Sequence, residues 1–278
     1  MYNLLGIDFE EWYHPELIQH NIGTKKKEPS VIKGIDKILD WLKNNDIYAT
    51  FFIVGELLEK NPELIDKISE GGHEIAFHSM YHKKLEQNNK ENFSKEIEEF
   101  NKLTQKKIIG FRAPAFSLNY SSSWVIDVLS EYGYQYDSSI VPAKTQLYGM
   151  PNAETKPYKI TSKNLERNDP DGKLIEFPLL TTRILGKKIP SGGGFYLRTL
   201  PMKIIENSIR HNITKNIPSS FYIHSWELTP EFMPKIQLPL KERFVTYHNL
   251  NKAFSRMDKL VKKFKFTSFS RYLSKSNC

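Results

Sequence analysis

The chain is organised around the sequence Gly72-His73-Glu74-Ile75-Ala76-Phe77-His78-Ser79-Met80-Tyr81-His82. Its short apolar run, residues 75–77, follows two glycines and predicts a buried strand. His78 then lies at the carboxyl end of that strand, and His82 lies in the turn that follows. Two imidazoles and one carboxylate commonly bind zinc and leave one position open for water. The spacing of His78 and His82 therefore fits either a metal site or two polar loop histidines. Other motifs in the chain are needed to distinguish these interpretations.

Strands and helices alternate on both sides of this stretch. Apolar, β-branched and aromatic runs predict strands at residues 4–9, 48–54, 75–77, 108–111, 134–137, 174–180 and 221–226. Apolar residues at helical spacing predict helices at residues 31–44, 56–70 (restarting at Asn61-Pro62), 93–103, 124–132, 201–211 and 254–264, the last of the chain. Such alternation is typical of parallel β/α units.

Two segments interrupt this alternation. Residues 141–173 are rich in proline and polar side chains, and we interpret them as an insertion. The sequence Ser191-Gly192-Gly193-Gly194 predicts a flexible loop. It does not match a phosphate-binding fingerprint, because the required spacing is missing.

Length and composition indicate one α/β domain. The chain has 278 residues, of which 39% are hydrophobic, enough for a sizeable core. We find no internal repeat and no low-complexity linker, so we predict a single domain over residues 1–278.

The charge of the chain is basic, with a formal net value of +8. Such an excess is compatible with nucleic acid, an anionic membrane surface or an acidic glycan as partner. The lysines are scattered over predicted helix faces, with short runs at residues 25–27 and 262–263. Because no nucleic-acid-binding motif is recognisable, we interpret the charge as a solvated surface and predict no nucleic-acid partner.

Cysteine usage and the amino-terminal residues bear on the compartment. The only cysteine is Cys278, so no disulfide framework and no thiolate metal cluster are expected. Residues 2–7 are too short for a signal peptide and are followed at once by acidic residues. No apolar run approaches the roughly 20 residues of a transmembrane helix. These features predict a soluble cytoplasmic protein.

Unusual polar residues fall at the predicted carboxyl ends of strands, where active groups gather in parallel β/α folds. They are Asp8, Glu10, His78, Arg112, Asp137 and His224. Because side chains alternate along a strand, Asp8 and Glu10 point to one face and Glu11 to the other. Each residue alone fits a solvated loop or a turn, but their coincidence at one end of a sheet favours a functional site.

The ordered set of motifs resembles polysaccharide deacetylases of carbohydrate esterase family 4, which share the NodB-homology domain. The resemblance covers essentially the whole chain. Within the family, the chain most resembles the branch associated with exopolysaccharide export, which has a carboxyl-terminal extension. The stretches that carry it are Gly6-Ile7-Asp8-Phe9-Glu10-Glu11-Trp12-Tyr13-His14, Thr50-Phe51-Phe52, His78-Ser79-Met80-Tyr81-His82, Arg112-Ala113-Pro114-Ala115-Phe116-Ser117, Tyr136-Asp137-Ser138-Ser139-Ile140, Gly192-Gly193-Gly194-Phe195-Tyr196 and His224-Ser225-Trp226-Glu227-Leu228. The resemblance implies a distorted (β/α)₇ barrel to about residue 230, with residues from about 231 to 278 as an extension packed on it.

The resemblance also implies a metal-dependent site. His78 and His82 match the metal-binding histidine pair, and Asp8 matches the catalytic base. The family's usual adjacent pair of aspartates is replaced by Asp8-Phe9-Glu10-Glu11. We therefore favour Glu10 as the third metal ligand by strand parity and keep Glu11 as the alternative. Zinc is the expected metal, and manganese, cobalt or nickel are alternatives.

Further roles follow from the same resemblance. Arg112 matches the arginine that holds the base, and a backbone N–H near Ala115 corresponds to the oxyanion donor. His224 matches the general acid, a task that suits an imidazole with an unperturbed pKa near 6.5. Asp137 falls in the segment that supports this acid in the family, although a turn or helix cap explains it equally well.

Aromatic side chains near these motifs have two interpretations. One interpretation is that they flank a substrate groove and pack against sugar faces. The other is that they belong to the core. The residues concerned are Trp12, Tyr148 and Trp226.

The function implied is metal-dependent removal of N-acetyl groups from an amino-sugar polysaccharide or glycan precursor. The alternatives are an amidase of the same fold acting on a small amide, and a catalytically silent glycan-binding protein. The partner expected is the glycan substrate, and the resemblance allows peripheral association with membrane-bound polysaccharide synthesis machinery.

Overall fold

A curved parallel sheet lies at the centre of the structure, a computed structural model that describes residues 1–22 and 28–275. The lysine run at residues 25–27 and Cys278 lie outside the described residues. The strands are β1 (Asn3–Phe9), β2 (Thr50–Ile53), β3 (Glu74–Phe77), β4 (Gly110–Phe111), β5 (Tyr136–Asp137), β6 (Tyr158–Ile160), β7 (Leu174–Glu176), β8 (Thr181–Ile184), β9 (Lys187–Pro190), β10 (Ser220–His224) and β11 (Phe266–Thr267).

Helices connect most of these strands and cover the outside of the sheet. They are α1 (Glu16–Ile22), α2 (Val31–Asn44), α3 (Gly55–Lys60), α4 (Glu63–Glu70), α5 (Lys90–Thr104), α6 (Trp124–Glu131), α7 (Gly194–Thr199), α8 (Met202–Thr214), α9 (Ser225–Leu228), α10 (Leu240–Tyr247), α11 (Ala253–Lys263) and α12 (Phe269–Lys275). In the described part of the chain, no helix combines the length and the apolar character needed to cross a membrane.

The main sheet has the strand order β10-β1-β2-β3-β4-β5-β7-β6, and β11 pairs with the start of β1. The seven strands from β10 to β7 are parallel, and β6 is antiparallel at the edge. The chain after β7 returns to β10, where Leu180 N–H donates to Ser220 O (3.1 Å) and Tyr222 N–H donates to Gly192 O (2.7 Å). These irregular contacts close the sheet, so the α/β class and the distorted seven-stranded barrel are confirmed.

Apolar side chains fill two layers, one outside and one inside the curved sheet. On the outside, Ile35, Ile38 and Leu42 recur at helical spacing along α2 and are buried against the sheet. The inner layer contains Phe52, Tyr136 and Phe269 among other side chains. A parallel sheet covered on both faces needs such continuous apolar strands, which explains why β2 reads Thr-Phe-Phe-Ile.

Several predicted boundaries differ from the observed ones. The predicted strand 221–226 ends at His224, because the Glu227 carboxylate accepts the His224 N–H (3.2 Å) and starts a helix there. The predicted strand 174–180 ends at Glu176, and β6 lies within the segment interpreted as an insertion. The helix over 254–264 is followed by β11 and α12, so it is not the last one. Gly194 begins a helix instead of continuing a flexible loop.

Candidate metal and acid–base site

Three predicted metal ligands lie together at the carboxyl end of the sheet. Potential ligand atoms of Glu10, His78 and His82 all lie within 4.8 Å of one another, and the three residues are buried. His82 Nε2 is 2.5 Å from Glu10 Oε2. Glu10 follows β1, His78 follows β3 and His82 lies in the next turn. The two strands flank β2 on either side, so their carboxyl ends bring the three residues together.

Both imidazoles use Nδ1 for a contact with a backbone carbonyl. His78 Nδ1 is 2.7 Å from Arg112 O, and His82 Nδ1 is 3.1 Å from His14 O. Because a carbonyl oxygen only accepts, each Nδ1 carries a proton, so Nε2 is the nitrogen of each ring that could bind a metal. In His82 that nitrogen contacts Glu10 Oε2. Burial lowers the pKa of His78 to about 4, so this imidazole is neutral near pH 7. Such outer hydrogen bonds are typical of metal-binding histidines, and two imidazoles with a carboxylate fit a zinc-like divalent cation.

Backbone geometry places His82 within reach of Glu10. Ser79 (φ 61°) and His82 (φ 52°) adopt left-handed conformations that are uncommon for residues with a side chain. The turn is held where Gly55 N–H donates to Ser79 O (3.0 Å) and Met80 N–H donates to the Glu96 carboxylate (3.0 Å). The surrounding hydrogen bonds therefore maintain a turn that the local sequence alone would not favour.

The two neighbouring glutamates point in opposite directions. Glu11 accepts hydrogen bonds from Ser30 N–H (2.8 Å), Ser30 Oγ (2.8 Å) and Val31 N–H (3.0 Å) at the start of α2. Glu10 instead points to His82, as strand parity predicts. The Glu10 side chain also accepts the indole N–H of Trp226 (3.2 Å). Burial alone would raise the pKa of Glu10, but His82 and its neighbouring imidazoles lower it well below its usual range.

Asp8 and Arg112 form a buried ion pair beside this cluster. Arg112 Nη1 donates to Asp8 Oδ1 at 2.6 Å, while its Nε and Nη2 donate to the backbone oxygen and the hydroxyl of Ser138 (2.9 Å each). A Cβ atom at Gly6 would lie 2.6 Å from Arg112 Nη1, so a glycine is needed where the guanidinium crosses β1. The arginine thereby fixes the position of the Asp8 carboxylate.

His224 lies on the other side of Glu10, at the end of β10. It is the register partner of Asp8, and its Nε2 is 3.7 Å from Glu10 Oε1. Its Nδ1 is 2.7 Å from Glu227 Oε2, and its ring stacks on Trp226 with 4.7 Å between centroids. Burial would lower the pKa of His224, but the carboxylates of Glu227, Glu10 and Asp8 raise it to about 9.

The support of His224 by Asp137 requires a correction. The hydroxyl of Ser139 donates to Asp137 Oδ1 (2.5 Å). Burial raises the pKa of Asp137, although its hydrogen bonds with Glu176 and Ser139 act in the opposite direction. The nitrogen that a supporting carboxylate would bind is taken by Glu227. Asp137 thus fits the alternative interpretation of a structural residue in the turn after β5.

Two of the predicted aromatic groove residues are buried. Trp12 and Trp226 are only 2% and 5% exposed, so neither offers a face to a sugar. The Trp12 indole donates to Glu28 O (2.9 Å), and both tryptophans belong to one apolar cluster next to the site. Core packing, the second interpretation of these residues, therefore describes them.

Tyr148 and Ala115 lie along a surface cavity. The cavity has a volume of about 460 Å³ and is also lined by Phe116, whose ring is 5.3 Å from that of Tyr148. Ala115 adopts a left-handed conformation (φ 52°) in the turn after Arg112. These two predicted substrate-binding residues thus share one concave surface.

Glu227 and Arg198 are the residues of this site that the sequence analysis did not select. Arg198 Nε is 2.7 Å from Glu227 Oε1, and both side chains are buried. Glu227 belongs to a matching stretch and follows His224 by three residues, a spacing at which a side chain can reach back to a helix start. Arg198 is 29 residues from Glu227 in the chain, and we find no local signal for it.

Two family patterns match adjoining parts of the chain. The family described as polysaccharide deacetylase matches residues 32–136, and a domain of unknown function, DUF3473, matches residues 138–274. The predicted metal ligands His78 and His82 lie in the first match and His224 lies in the second, whereas Asp8 and Glu10 precede both.

Curated relatives are similar over part of their length. A peptidoglycan-N-acetylglucosamine deacetylase of Bacillus cereus is 30% identical over 102 residues, which cover 36% of this chain and 46% of the relative. A chitooligosaccharide deacetylase of Rhizobium leguminosarum bv. trifolii is 35% identical over 97 residues, which cover 34% of this chain and 43% of the relative. The chain thus spans less than half the length of these relatives.

A solved structure is similar over nearly the whole chain. It is a protein of Mycobacterium smegmatis assigned to the polysaccharide deacetylases, with a TM-score of 0.58 and 16% identity. The match covers 99% of this chain and 90% of that one. At this identity the similarity shows a shared fold.

Proposed function

This chain carries a polysaccharide deacetylase domain, and from that premise we propose that it is a metal-dependent hydrolase that removes N-acetyl groups from an amino-sugar glycan. One observation carries the proposal. The Asp8 carboxylate, held by Arg112, and the His224 imidazole lie on neighbouring strands beside the cluster of Glu10, His78 and His82. A base, an acid and a metal-binding set in one place are the requirements of amide hydrolysis.

Glu10, His78 and His82 would hold the metal, which we propose to be zinc, with manganese, cobalt or nickel as alternatives. When bound, such an ion lowers the pKa of a water ligand from 15.7 to about 7. The Nδ1 hydrogen bonds of both histidines to backbone carbonyls keep the two Nε2 atoms directed at the site. Glu10 is held in turn by the indole N–H of Trp226.

The remaining residues move protons and orient groups. Asp8 accepts the proton that water loses while its oxygen attacks the acetyl carbon, and Arg112 keeps the carboxylate in position. The C–N bond then breaks, and the leaving nitrogen takes a proton from His224 Nε2. Acetate and a free amine result, with one water consumed for each acetyl group. A backbone N–H in the turn at Ala115 is the proposed donor to the developing oxyanion.

The substrate class rests on the relatives, whose names specify deacetylation of peptidoglycan and of chitooligosaccharides. The cavity beside Tyr148 and Ala115 supports the idea of an extended ligand, because it is a concave surface that includes part of the turn after Arg112. We propose that the substrate is an N-acetylated amino-sugar oligomer or polymer. We also propose that the chain belongs to the branch associated with exopolysaccharide export.

Acetate release from a substrate panel tests this function. The zinc-loaded protein should release acetate from N-acetylglucosamine oligomers or from peptidoglycan fragments, and Asp8→Asn should abolish most of that release. Acetate or ring-opening products from small amides alone would instead identify the amidase. Glycan binding without any product would identify the silent binding protein.

A peripheral membrane association is a separate proposal. Leu240 and Phe244 of α10 are 75% and 53% exposed, and the cations Lys241 and Arg243 lie next to them. Exposed apolar side chains beside cations suit an anionic lipid surface. Sedimentation with anionic vesicles, but not with neutral ones, is the expected result, and Leu240→Glu should weaken it. An even more exposed apolar residue elsewhere, Leu185, provides the control variant Leu185→Glu, which should leave the sedimentation unchanged.

A further inference from the structure

A continuous series of buried charged contacts leads away from the general acid. His224 Nδ1 is 2.7 Å from Glu227 Oε2, and the other carboxylate oxygen of Glu227 is 2.7 Å from Arg198 Nε. The Glu227 and Arg198 side chains are 0% and 2% exposed. Each oxygen of the carboxylate therefore has its own charged partner.

The series ends on the backbone of the carboxyl-terminal part of the chain. Arg198 Nη2 donates to Val245 O (2.8 Å), and its Nη1 donates to Thr246 O (3.1 Å) and His248 O (2.7 Å). These carbonyls lie at the end of α10, where free carbonyl groups and the helix dipole both attract a cation. Asn249 Nδ2 also donates to Arg198 O (3.2 Å), so the contact is reciprocal.

We propose that Glu227 and Arg198 are positioning residues that orient His224 as the general acid, and that the end of α10 anchors them. The inference rests on the proposed function, because it assigns how the acid of that reaction is held. Glu227 fixes the proton on Nδ1 and thereby aims Nε2 at the face shared with Glu10. Stacking on Trp226 holds the plane of the imidazole but would still allow the ring to flip by half a turn. The contact of Nδ1 with Glu227 prevents that flip.

A merely structural ion pair explains these contacts less well. Two charges buried together gain little net stability, because the cost of removing them from water is close to their mutual attraction. The Arg198 guanidinium donates hydrogen bonds to three carbonyls, and these fix the position of its charge beside the Glu227 carboxylate, which it contacts as an ion pair. Such a support suits a residue whose imidazole must keep one orientation.

The residue selected from the sequence for this role has other partners. Asp137 accepts from the Ser139 hydroxyl (2.5 Å) and lies next to Glu176. The orienting carboxylate is thus supplied from the helix that begins directly after the acid, and its anchor lies in the range matched by DUF3473.

Two substrates with different leaving groups test the proposal in the zinc-loaded full chain. An N-acetyl amine needs a proton on its leaving nitrogen, whereas the phenolate of 4-nitrophenyl acetate does not. Glu227→Gln should lower kcat for the N-acetyl oligomer about 10²-fold with a much smaller change in KM. Its loss on 4-nitrophenyl acetate should be less than about tenfold, and its zinc content should stay at the wild-type level.

Glu74→Gln is the matched control. Glu74 is also a carboxylate in a dense hydrogen-bond network, accepting from Thr50 Oγ1 (2.5 Å), Tyr136 OH (2.9 Å) and Ser270 N–H (2.9 Å). Because it lies at the amino end of β3, its loss should not change the ratio of the two rates. Equal ratios for Glu74→Gln and Glu227→Gln would overturn the proposal.

Arg198→Lys tests the second member and keeps the positive charge, so it also serves if Glu227→Gln folds poorly. An ammonium group cannot bind the carboxylate and three carbonyls together, so the same selective loss is expected in smaller measure. The double variant should be no slower than Glu227→Gln alone, because both changes act through His224. If the losses in kcat of the two single variants added up in the double variant, the proposal that Glu227 and Arg198 act as one unit through His224 would be overturned.

A spectroscopic measurement separates this inference from the proposed function. Long-range ¹H–¹⁵N correlation spectra of the zinc-loaded protein should show a protected Nδ1 proton of His224, identified by its absence in His224→Gln. That signal should persist in Glu74→Gln and disappear or shift in Glu227→Gln, even if no glycan substrate is turned over. An unchanged signal in Glu227→Gln would overturn the inference whatever the activity.

Discussion

At the scale of single residues, two adjacent glutamates have different partners because the backbone of β1 alternates its side chains. Glu10 points into the barrel mouth and meets His82, whereas Glu11 points out and accepts the backbone N–H groups that begin α2. A carboxylate at a helix start stabilises the free N–H groups there. One substitution of each residue should therefore affect a different property.

We expect Glu10→Gln to weaken zinc binding by more than about tenfold, since it removes the charged ligand. Glu11→Gln should leave zinc affinity nearly unchanged but lower the free energy of unfolding by about 1–3 kcal/mol, because hydrogen bonds to a charged group are lost. Calorimetric zinc titration and urea denaturation measure the two effects. The reverse ranking in the zinc titration would contradict the assignment of Glu10.

Asp8 and His224 should affect turnover without affecting the metal. Asp8→Asn and His224→Ala should each lower kcat about 10²–10⁴-fold, the usual contribution of a positioned base or acid. The raised pKa of His224 keeps its proton available above pH 6.5, its ordinary pKa, so the basic limb of the rate profile should lie above that pH and vanish in His224→Ala. Elemental analysis must show full metal content, and metal loss in His224→Ala would make that residue a ligand instead.

At the scale of elements, the glycine segment between β9 and α7 is a closely packed part of the barrel wall. Gly193 has φ 136° and pairs with Tyr222 of β10. A Cβ atom there would lie 1.7 Å from Tyr222 O. The segment thus needs glycine because it replaces a strand in the barrel closure, which is a different reason from loop flexibility.

Gly193→Ala should destabilise the protein by more than about 3 kcal/mol, because the closure must open to accept the methyl group. Gly186→Ala is the matched control, since Gly186 also has positive φ (78°) but no atom lies within 4 Å of the added Cβ. That control should cost about 1 kcal/mol. Urea midpoints compare the two, and similar losses would contradict the packing argument.

The connection between α4 and β3 should give the protein an acid-sensitive stability. His73 Nδ1 accepts the Ala49 N–H (3.3 Å), and burial and the nearby Arg271 lower the pKa of His73 from 6.5 to about 4. Between these pH values His73 is protonated in the unfolded chain but not in the folded protein. The free energy of unfolding therefore falls as the pH falls. The loss from pH 7 to pH 5 should be about 1–2 kcal/mol.

Urea denaturation of wild type and His73→Asn at both pH values measures this contribution. The Asn side-chain oxygen can accept the same N–H but does not titrate, so the variant should lose less stability on acidification. Tyr48 and Arg271 flank His73 in both proteins and contribute equally. Identical pH dependence of the two proteins would show that His73 is protonated in the folded state.

At the scale of the whole molecule, both family matches contribute strands to one barrel. Strands β2 to β5 belong to the first match, and β7 and β10 belong to the second. The last helix, α12, inserts Phe269 between Phe52, Tyr136 and Phe177 inside the barrel. We therefore propose that the chain folds as a single domain and unfolds cooperatively.

Phe269→Ala should lower the free energy of unfolding of the entire barrel by about 3–5 kcal/mol, the usual cost of truncating a buried phenylalanine. Thermal unfolding should remain a single transition at a lower Tm. Phe244→Ala, at an exposed phenylalanine, is the control and should have little effect. The wild type could instead show a separate early unfolding transition that Phe269→Ala removes while the main transition is unchanged. That result would mean that the carboxyl-terminal part is an independent unit.

The sequence by itself determined the alternation of strands and helices, the residues at the strand ends and the direction of Glu10. These features depend on local regularities, namely the 3.6-residue and two-residue periods and the positions of glycine and proline. Asp8, His78, Arg112 and His224 could be selected because parallel strands bring their carboxyl ends to one edge. No contact between distant residues had to be known.

Only the tertiary structure decided which cation holds the Glu227 carboxylate and which aromatic residues stay exposed. Arg198 reaches Glu227 across 29 residues and the end of α10 across about 50, distances in sequence at which no periodicity operates. Trp12 and Trp226 are buried because the segment around Met233 covers them. Such partners are set by how elements pack, since a side chain's neighbours depend on the whole fold while its strand or helix depends mainly on the residues beside it.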